Sequence, residues 1–299
     1  MTCSRKNSPF FTIVALLVAC VAHAQNKTNL DVRLPLTKGS VRFAVIGDSG
    51  TGSEEQYQVA KEMETYRKAV DFHFVIMLGD NIYGGHGPRD FEKKFAVPYK
   101  PLLDAGVNFY ASLGNHDDPR LEALYKPFNM NGERYYTFKK GHVQFFALDS
   151  TYMDARQLSW LEQNLKASDA TWKICFFHHP LYNSGKMHGP DLDLRNQLSP
   201  LIKRYAVNVV FSGHEHAYER LKPVDNTYYF IQGDSGKLER HDFHSSDQMA
   251  KSFDRDRTFM LVEIEGENLC FQTISRVGET VDAGELPRAA PSVKAVAKQ

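Results

Sequence analysis

The residues of this 299-residue chain that could do chemistry recur in one kind of place. Asp48 lies in Gly47-Asp48-Ser49-Gly50, and Asp80 and Tyr83 in Gly79-Asp80-Asn81-Ile82-Tyr83. Asn115, His116 and Asp117 follow Gly114, His178 stands beside His179, and His214 and His216 flank Glu215 after Gly213. Each group comes directly after an apolar, strand-like run. A single Gly-Asp at a strand end is an ordinary turn. Five such ends, three of them with histidine, point to a metal site. Carboxylate, imidazole, amide oxygen and phenol form a hard-to-borderline donor set with no thiolate, suited to iron, zinc or manganese. Seven such donors are too many for one catalytic ion that keeps room for water. They suit two ions sharing a carboxylate, the arrangement that clamps an in-line attack on phosphorus.

The elements that must position these groups can be read from periodicity. Apolar runs at 41–46, 72–78, 108–113, 172–177 and 209–211 predict buried strands, each ending in one of the five groups. Helical spacing covers 157–167 and 192–205, and helices are expected over 53–69, with Ser53 as N-cap, and around 88–95. A hairpin is expected at 134–138 and 142–148, and further strands at 228–232, 259–264 and 269–274. Strands alternating with helices, plus hairpins, give an α/β core with mixed sheets. In open α/β sheets ligands gather at the carboxyl ends of the strands, where all five groups fall. Gly-Asp-Ser-Gly occurs at 47–50 and again at 233–236, which reads as two loops with similar turn demands. Asp234, His241 and His244, in the later loop, are expected to be exposed.

Composition adds limits. A hydrophobic fraction of 42%, a charged fraction of 24% and zero formal charge describe an ordinary globular protein, with no charge-based reason to expect nucleic acid or an anionic membrane as partner. Arg5 and Lys6, the apolar run 10–21 and Ala22-His23-Ala24 form a secretory signal over 1–24, too short for a comfortable transmembrane span. Leu17-Val18-Ala19-Cys20 offers an alternative, a lipoprotein anchored through Cys20. Either way the protein is expected to be exported, secreted or periplasmic. Cys175 and Cys270 lie in apolar runs, which suggests buried thiols, with a single bridge between them left open. A catalytic domain is expected over 25–286, with a disordered tail over 287–299.

Taken in order, GD-x-G, GDNIY, GNHD, a histidine after an apolar strand and GHEH resemble the purple acid phosphatases of the calcineurin-like metallophosphoesterase superfamily, over about 41–275. The small, tartrate-resistant type is the nearest form. The resemblance implies a four-layer sandwich of two mixed β-sheets flanked by helices. It also implies hydrolysis of small phosphate monoesters by in-line attack of a metal-bound hydroxide. On this likeness Asp48, Asp80, Tyr83 and His216 bind Fe(III), with Tyr83 as phenolate. Asp80 bridges to a second ion, Fe(II), Zn or Mn, completed by Asn115, His178 and His214. His116 would contact the phosphate with Asp117 orienting it, and His188 would be a second acid histidine, although its spacing is one residue longer than the family's. The fourth motif also departs from the family, with Cys175 in place of valine and His179 beside the ligand. His86 is a further candidate substrate contact. The same centre would serve a phosphodiesterase or nucleotidase, and a non-catalytic metal- or phosphate-binding protein is the rival from another class.

Overall fold

Strand β1 (Val41–Ile46) sends Phe43 and Val45 to one face and Ala44 and Ile46 to the other, and all four are fully buried. A strand apolar on both faces must be covered on both. The computed structural model describes residues 30–241 and 243–288, with Met1 and Thr2. Residues 3–24 of the expected export signal, Cys20 among them, and the tail beyond Arg288 therefore lie outside the described residues.

After β1 come α1 (Glu54–Val70), β2 (Phe74–Leu78), α2 (Pro88–Phe91), α3 (Lys100–Asp104), β3 (Asn108–Ser112) and α4 (Pro119–Leu124). The second half runs β4 (Tyr136–Lys140), β5 (Val143–Ala147), α5 (Ala155–Ala167), β6 (Trp172–Phe176), α6 (Leu192–Arg204) and β7 (Val209–Ser212). It closes with β8 (Tyr218–Leu221), β9 (Tyr228–Gln232), β10 (Met249–Phe253), β11 (Thr258–Glu265), β12 (Asn268–Ser275) and β13 (Thr280–Pro287). One sheet has the order β13-β12-β11-β1-β2-β3, the other β10-β8-β9-β7-β6-β5-β4. Both are mixed. β1, β2 and β3 run parallel, as do β5, β6, β7 and β9, while the outer strands pair antiparallel.

Three apolar interfaces make the four layers. Phe43 and Val45 meet Phe145, Phe176 and Phe211 between the sheets. Ala44 and Ile46 pack under Val59, Met63 and Tyr66 of α1. On the far side Phe146, Cys175 and Val210 lie under Leu161 and Leu165 of α5 and Leu194 and Leu198 of α6. Each fully buried phenylalanine contributes roughly 1.5–3 kcal/mol. The main helices start where the side chains dictate. Ser53 caps α1 by accepting from the Gln56 N–H, and Asp154 and Asp191 cap α5 and α6 in the same way. Among the described residues no helix is long and apolar enough to cross a membrane.

Several expectations need correction. Strands β8, β10 and β13 were not anticipated. β13 carries little apolar alternation because it is an edge strand, and it extends order to Pro287, where the tail was expected to begin. Cys175 and Cys270 are both buried free thiols, in different apolar layers, so they form no bridge. Asp234, expected at the surface, is fully buried, with Oδ1 accepting from Gln232 Nε2 and the Thr258 hydroxyl. His241 and His244 are exposed.

Candidate dinuclear metal centre

The seven candidate donors converge at the carboxyl ends of the parallel strands, and they come from both sheets. Asp48 follows β1, Asp80 and Tyr83 follow β2, and Asn115 follows β3. His178 follows β6, and His214 and His216 follow β7. Glycine at the strand ends is what lets the turns approach. A Cβ on Gly114 would strike the Asp80 carboxylate, one on Gly213 the Asp48 carboxylate, and one on Gly79 would lie 2.8 Å from His178 Nδ1. Asp48, Asp80 and His214 adopt φ of 52°, 51° and 71°, a left-handed region costly for residues with a Cβ and often found at functional sites.

The first two turns are tied to each other by backbone. Gly50 N–H donates to the Asp80 carbonyl and Tyr83 N–H to the Gly50 carbonyl. Asp117, expected to orient His116, follows it on the same turn. Its carboxylate accepts from the N–H groups of Asn81, Ile82 and Gly114 and from Asn81 Nδ2, stitching the third turn to the second. It therefore holds the loop on which His116 stands. His116 N–H donates to Asp80 Oδ1, and its exposed ring lies 4.9 Å from that of Tyr83.

The donor atoms are arranged for cations. His178 Nδ1 donates to the Leu78 carbonyl at 2.9 Å, so its Nε2 presents a lone pair. Around that lone pair lie Asn115 Oδ1 at 3.0 Å, His214 Nδ1 at 3.1 Å and Asp80 Oδ1 at 3.5 Å. So many basic atoms at such distances call for a positive charge among them. On the other side the Tyr83 hydroxyl donates to Asp48 Oδ1 at 3.0 Å and lies 3.3 Å from His216 Nε2, which is 3.6 Å from the same carboxylate oxygen. One ligand atom each from Asp48, Asp80 and His178 can be drawn within 4.8 Å of one another. Two clustered sites side by side are consistent with a dinuclear centre.

Without cations these groups hold the wrong protons. Burial, then the charges of Asp48 and Asp80, pushes the Tyr83 phenol far above its usual range. Burial also raises Asp48 well above the usual carboxylate range. At Asp80 the upward effect of burial is outweighed by His178, the His116 N–H and Tyr83, and its pKa is lowered. Burial and the neighbouring His178, His179, His188 and His216 depress the His214 imidazole strongly. A cation would take the place of the Tyr83 proton.

The remaining candidates divide. His188 is exposed, and its ring stands 4.1 Å from that of His214 and 5.8 Å from that of His216, over the centre. His179 lies behind it, with Nδ1 2.9 Å from the Ser150 hydroxyl and its ring 4.4 Å from His214. Burial, then His178, lowers it to about 4. His86 turns away from the centre, accepting the Asp118 N–H and facing buried Glu122 at 3.4 Å. Sequence reasoning missed Lys237, whose ammonium sits 4.5 Å from the Tyr83 ring centroid. The repeated Gly-Asp-Ser-Gly was the available signal. The two copies pack on each other, with Ser235 N–H donating to the Gly47 carbonyl and Lys237 N–H to that of Asp48. This contact delivers Lys237 to the site.

The chain is similar in sequence to known phosphatases. The chain is 29% identical to purple acid phosphatase 17 of Arabidopsis thaliana over 66% of its own length and 69% of the relative's. It is 31% identical to purple acid phosphatase 3 of the same plant, over 67% and 64% respectively. The chain thus spans about two thirds of these relatives. Among solved structures, GAP50, the anchor in the inner membrane complex of Plasmodium, superposes with a TM-score of 0.74 at 18% identity, over 85% of this chain and 90% of that one, a likeness of fold alone. The family model for calcineurin-like phosphoesterases matches residues 41–218, which include every candidate metal ligand. The chain belongs to the calcineurin-like phosphoesterase family.

Proposed function

We propose that this metal-dependent phosphoesterase is an exported purple acid phosphatase-like enzyme that hydrolyses small phosphate monoesters. The observation that carries the reading is Tyr83, a phenol held between Asp48 and His216 inside the donor cluster. Phenolate is a hard anionic donor and selects a hard, highly charged ion, so Fe(III) is assigned to Asp48, Asp80, Tyr83 and His216. Asp80, Asn115, His178 and His214 hold the second ion, Fe(II), Zn or Mn. When bound, the pair supplies positive charge for the phosphoryl oxygens and lowers the pKa of a coordinated water. His116, beside the Tyr83 ring, and His188, beside the His214 ring, contact the phosphoryl group and supply the proton to the leaving alkoxide. Asp117 fixes the turn that carries His116. The catalytic domain is assigned to 25–286, after a signal over 1–24 or an anchor at Cys20.

The test is the visible spectrum and metal content of the purified protein, with turnover on an aryl phosphate and on a bis-aryl diester. A broad visible band lost in Tyr83→Phe, with the monoester turned over faster, supports the reading. A colourless, fully metallated and active enzyme refutes the iron–phenolate assignment. Faster turnover of the diester refutes the monoesterase.

A further inference from the structure

The loop 184–189 that carries His188 has little apolar anchoring. Lys186, Met187 and His188 are exposed, with Met187 at 49%. Such a segment frays unless its backbone is held by polar partners. Two buried carboxylates hold it. Glu215, 1% exposed and set between His214 and His216, accepts from the His188 N–H at 2.8 Å and the Gly189 N–H at 2.7 Å through Oε1. Its Oε2 lies 3.9 Å from His188 Nδ1. Four residues further along, in β8, Glu219, also 1% exposed, accepts the Ser184 N–H at 2.9 Å. Gly185 packs directly on Glu215, where a Cβ would collide with its carboxylate.

We infer that Glu215 is a positioning residue, which docks the 184–189 loop so that the His188 ring is held over the metal-binding histidines. The segment that carries His214 and His216 thereby also fixes the substrate-side imidazole. The inference rests on the proposed role of His188. Glu215 touches no reacting atom, so it acts only through that ring. Groups that act through one another are strongly non-additive.

The test is a double-mutant cycle in the metal-loaded full chain, measuring kcat for an aryl phosphate together with metal content. Glu215→Ala and His188→Ala should each lower kcat by about 100-fold with both metals retained, the lower end of the range for acid–base groups. The double variant should be no slower than His188→Ala. Glu215→Gln, whose amide oxygen can accept the same two N–H groups, should recover most of the rate. Gly185→Ala, which forces the loop away without altering Glu215, should mimic Glu215→Ala and should likewise have no effect when His188 is already alanine. This second variant decides the matter if Glu215→Ala folds poorly or loses metal. Multiplicative losses in the cycle, or full activity in Gly185→Ala, would overturn the inference. Full activity in His188→Ala removes the role of His188 and the inference with it, while the metal-centre assignment stands on its own spectrum.

Discussion

Gly114→Ala isolates geometry from chemistry, because it adds one methyl group and removes no donor. The new Cβ would lie 3.0 Å from Asp80 Cγ and nearer still to Oδ1, where ordinary contact begins at 3.4 Å. Gly114 does not use a positive φ, so the penalty is steric and not conformational. The contacts are with a carboxylate and with Asp80 backbone nitrogen, neither of which is the far end of a flexible chain. The carboxylate assigned to both ions must therefore retreat by on the order of 1 Å, a displacement that can cost about 10²-fold in rate. Overpacking of this size costs about 1–3 kcal/mol, which a domain with a typical stability of about 5–15 kcal/mol survives. The assay is phosphate release at saturating aryl phosphate, alongside metal stoichiometry and the thermal midpoint. Gly87→Ala serves as the control, since its Cβ would meet only Asp90 Oδ2 at 3.6 Å. A Gly114→Ala protein with unchanged turnover and two metals would refute the bridging assignment of Asp80.

Other outcomes follow from the same geometry. Asp80→Ala should lose metal and turnover together, whereas His116→Ala should lose about 10²–10⁴-fold in kcat with metal content unchanged, as expected for an acid–base or phosphoryl contact; a His116 variant that loses metal contradicts this division. Lys237→Met removes a cation 4.5 Å from the Tyr83 ring, so the iron–phenolate band should move to longer wavelength, and an unmoved band would dismiss electrostatic tuning by Lys237. Burial raises Glu122 from 4.5 to about 8, so the fold binds a proton that the unfolded chain gives up above 4.5. Its contribution to stability is full below pH 4.5 and is lost as pH rises to about 8. The metal-free Glu122→Gln protein should show a flatter thermal midpoint across that window than the wild type, and parallel profiles would contradict the assignment.

The donor cluster was legible because strand ends are written locally, in an apolar run, a glycine and a polar residue. The parallel strands were legible for the same reason, being buried on both faces. The outer strands were not. β10 and β13 are edge strands with no fully buried residue, held by register against β8 and β12 and not by their own periodicity. The long-range partners of Asp117 were not legible, because its carboxylate serves backbone N–H groups from a turn 35 residues and more away, which no local pattern announces. Lys237 and Glu215 escaped for a related cause. Each acts across a contact between two loops, and only the repeated tetrapeptide hinted at one of them.

The division of the donors between the sheets makes the centre a reversible crosslink. An ion held by Asp48 or Asp80 on one side and by His214, His216 or His178 on the other ties chain positions from 48 to 216. Closing a loop of that length removes freedom from the unfolded chain much as a long-range disulfide does, about 4–5 kcal/mol for a loop of ~100 residues or more in the chain-entropy account. Cys175 and Cys270 provide no covalent tie of this kind. With the donors assigned as proposed, metal supply would then set much of the margin between folded and unfolded chain, and removing the ions should lower the thermal midpoint.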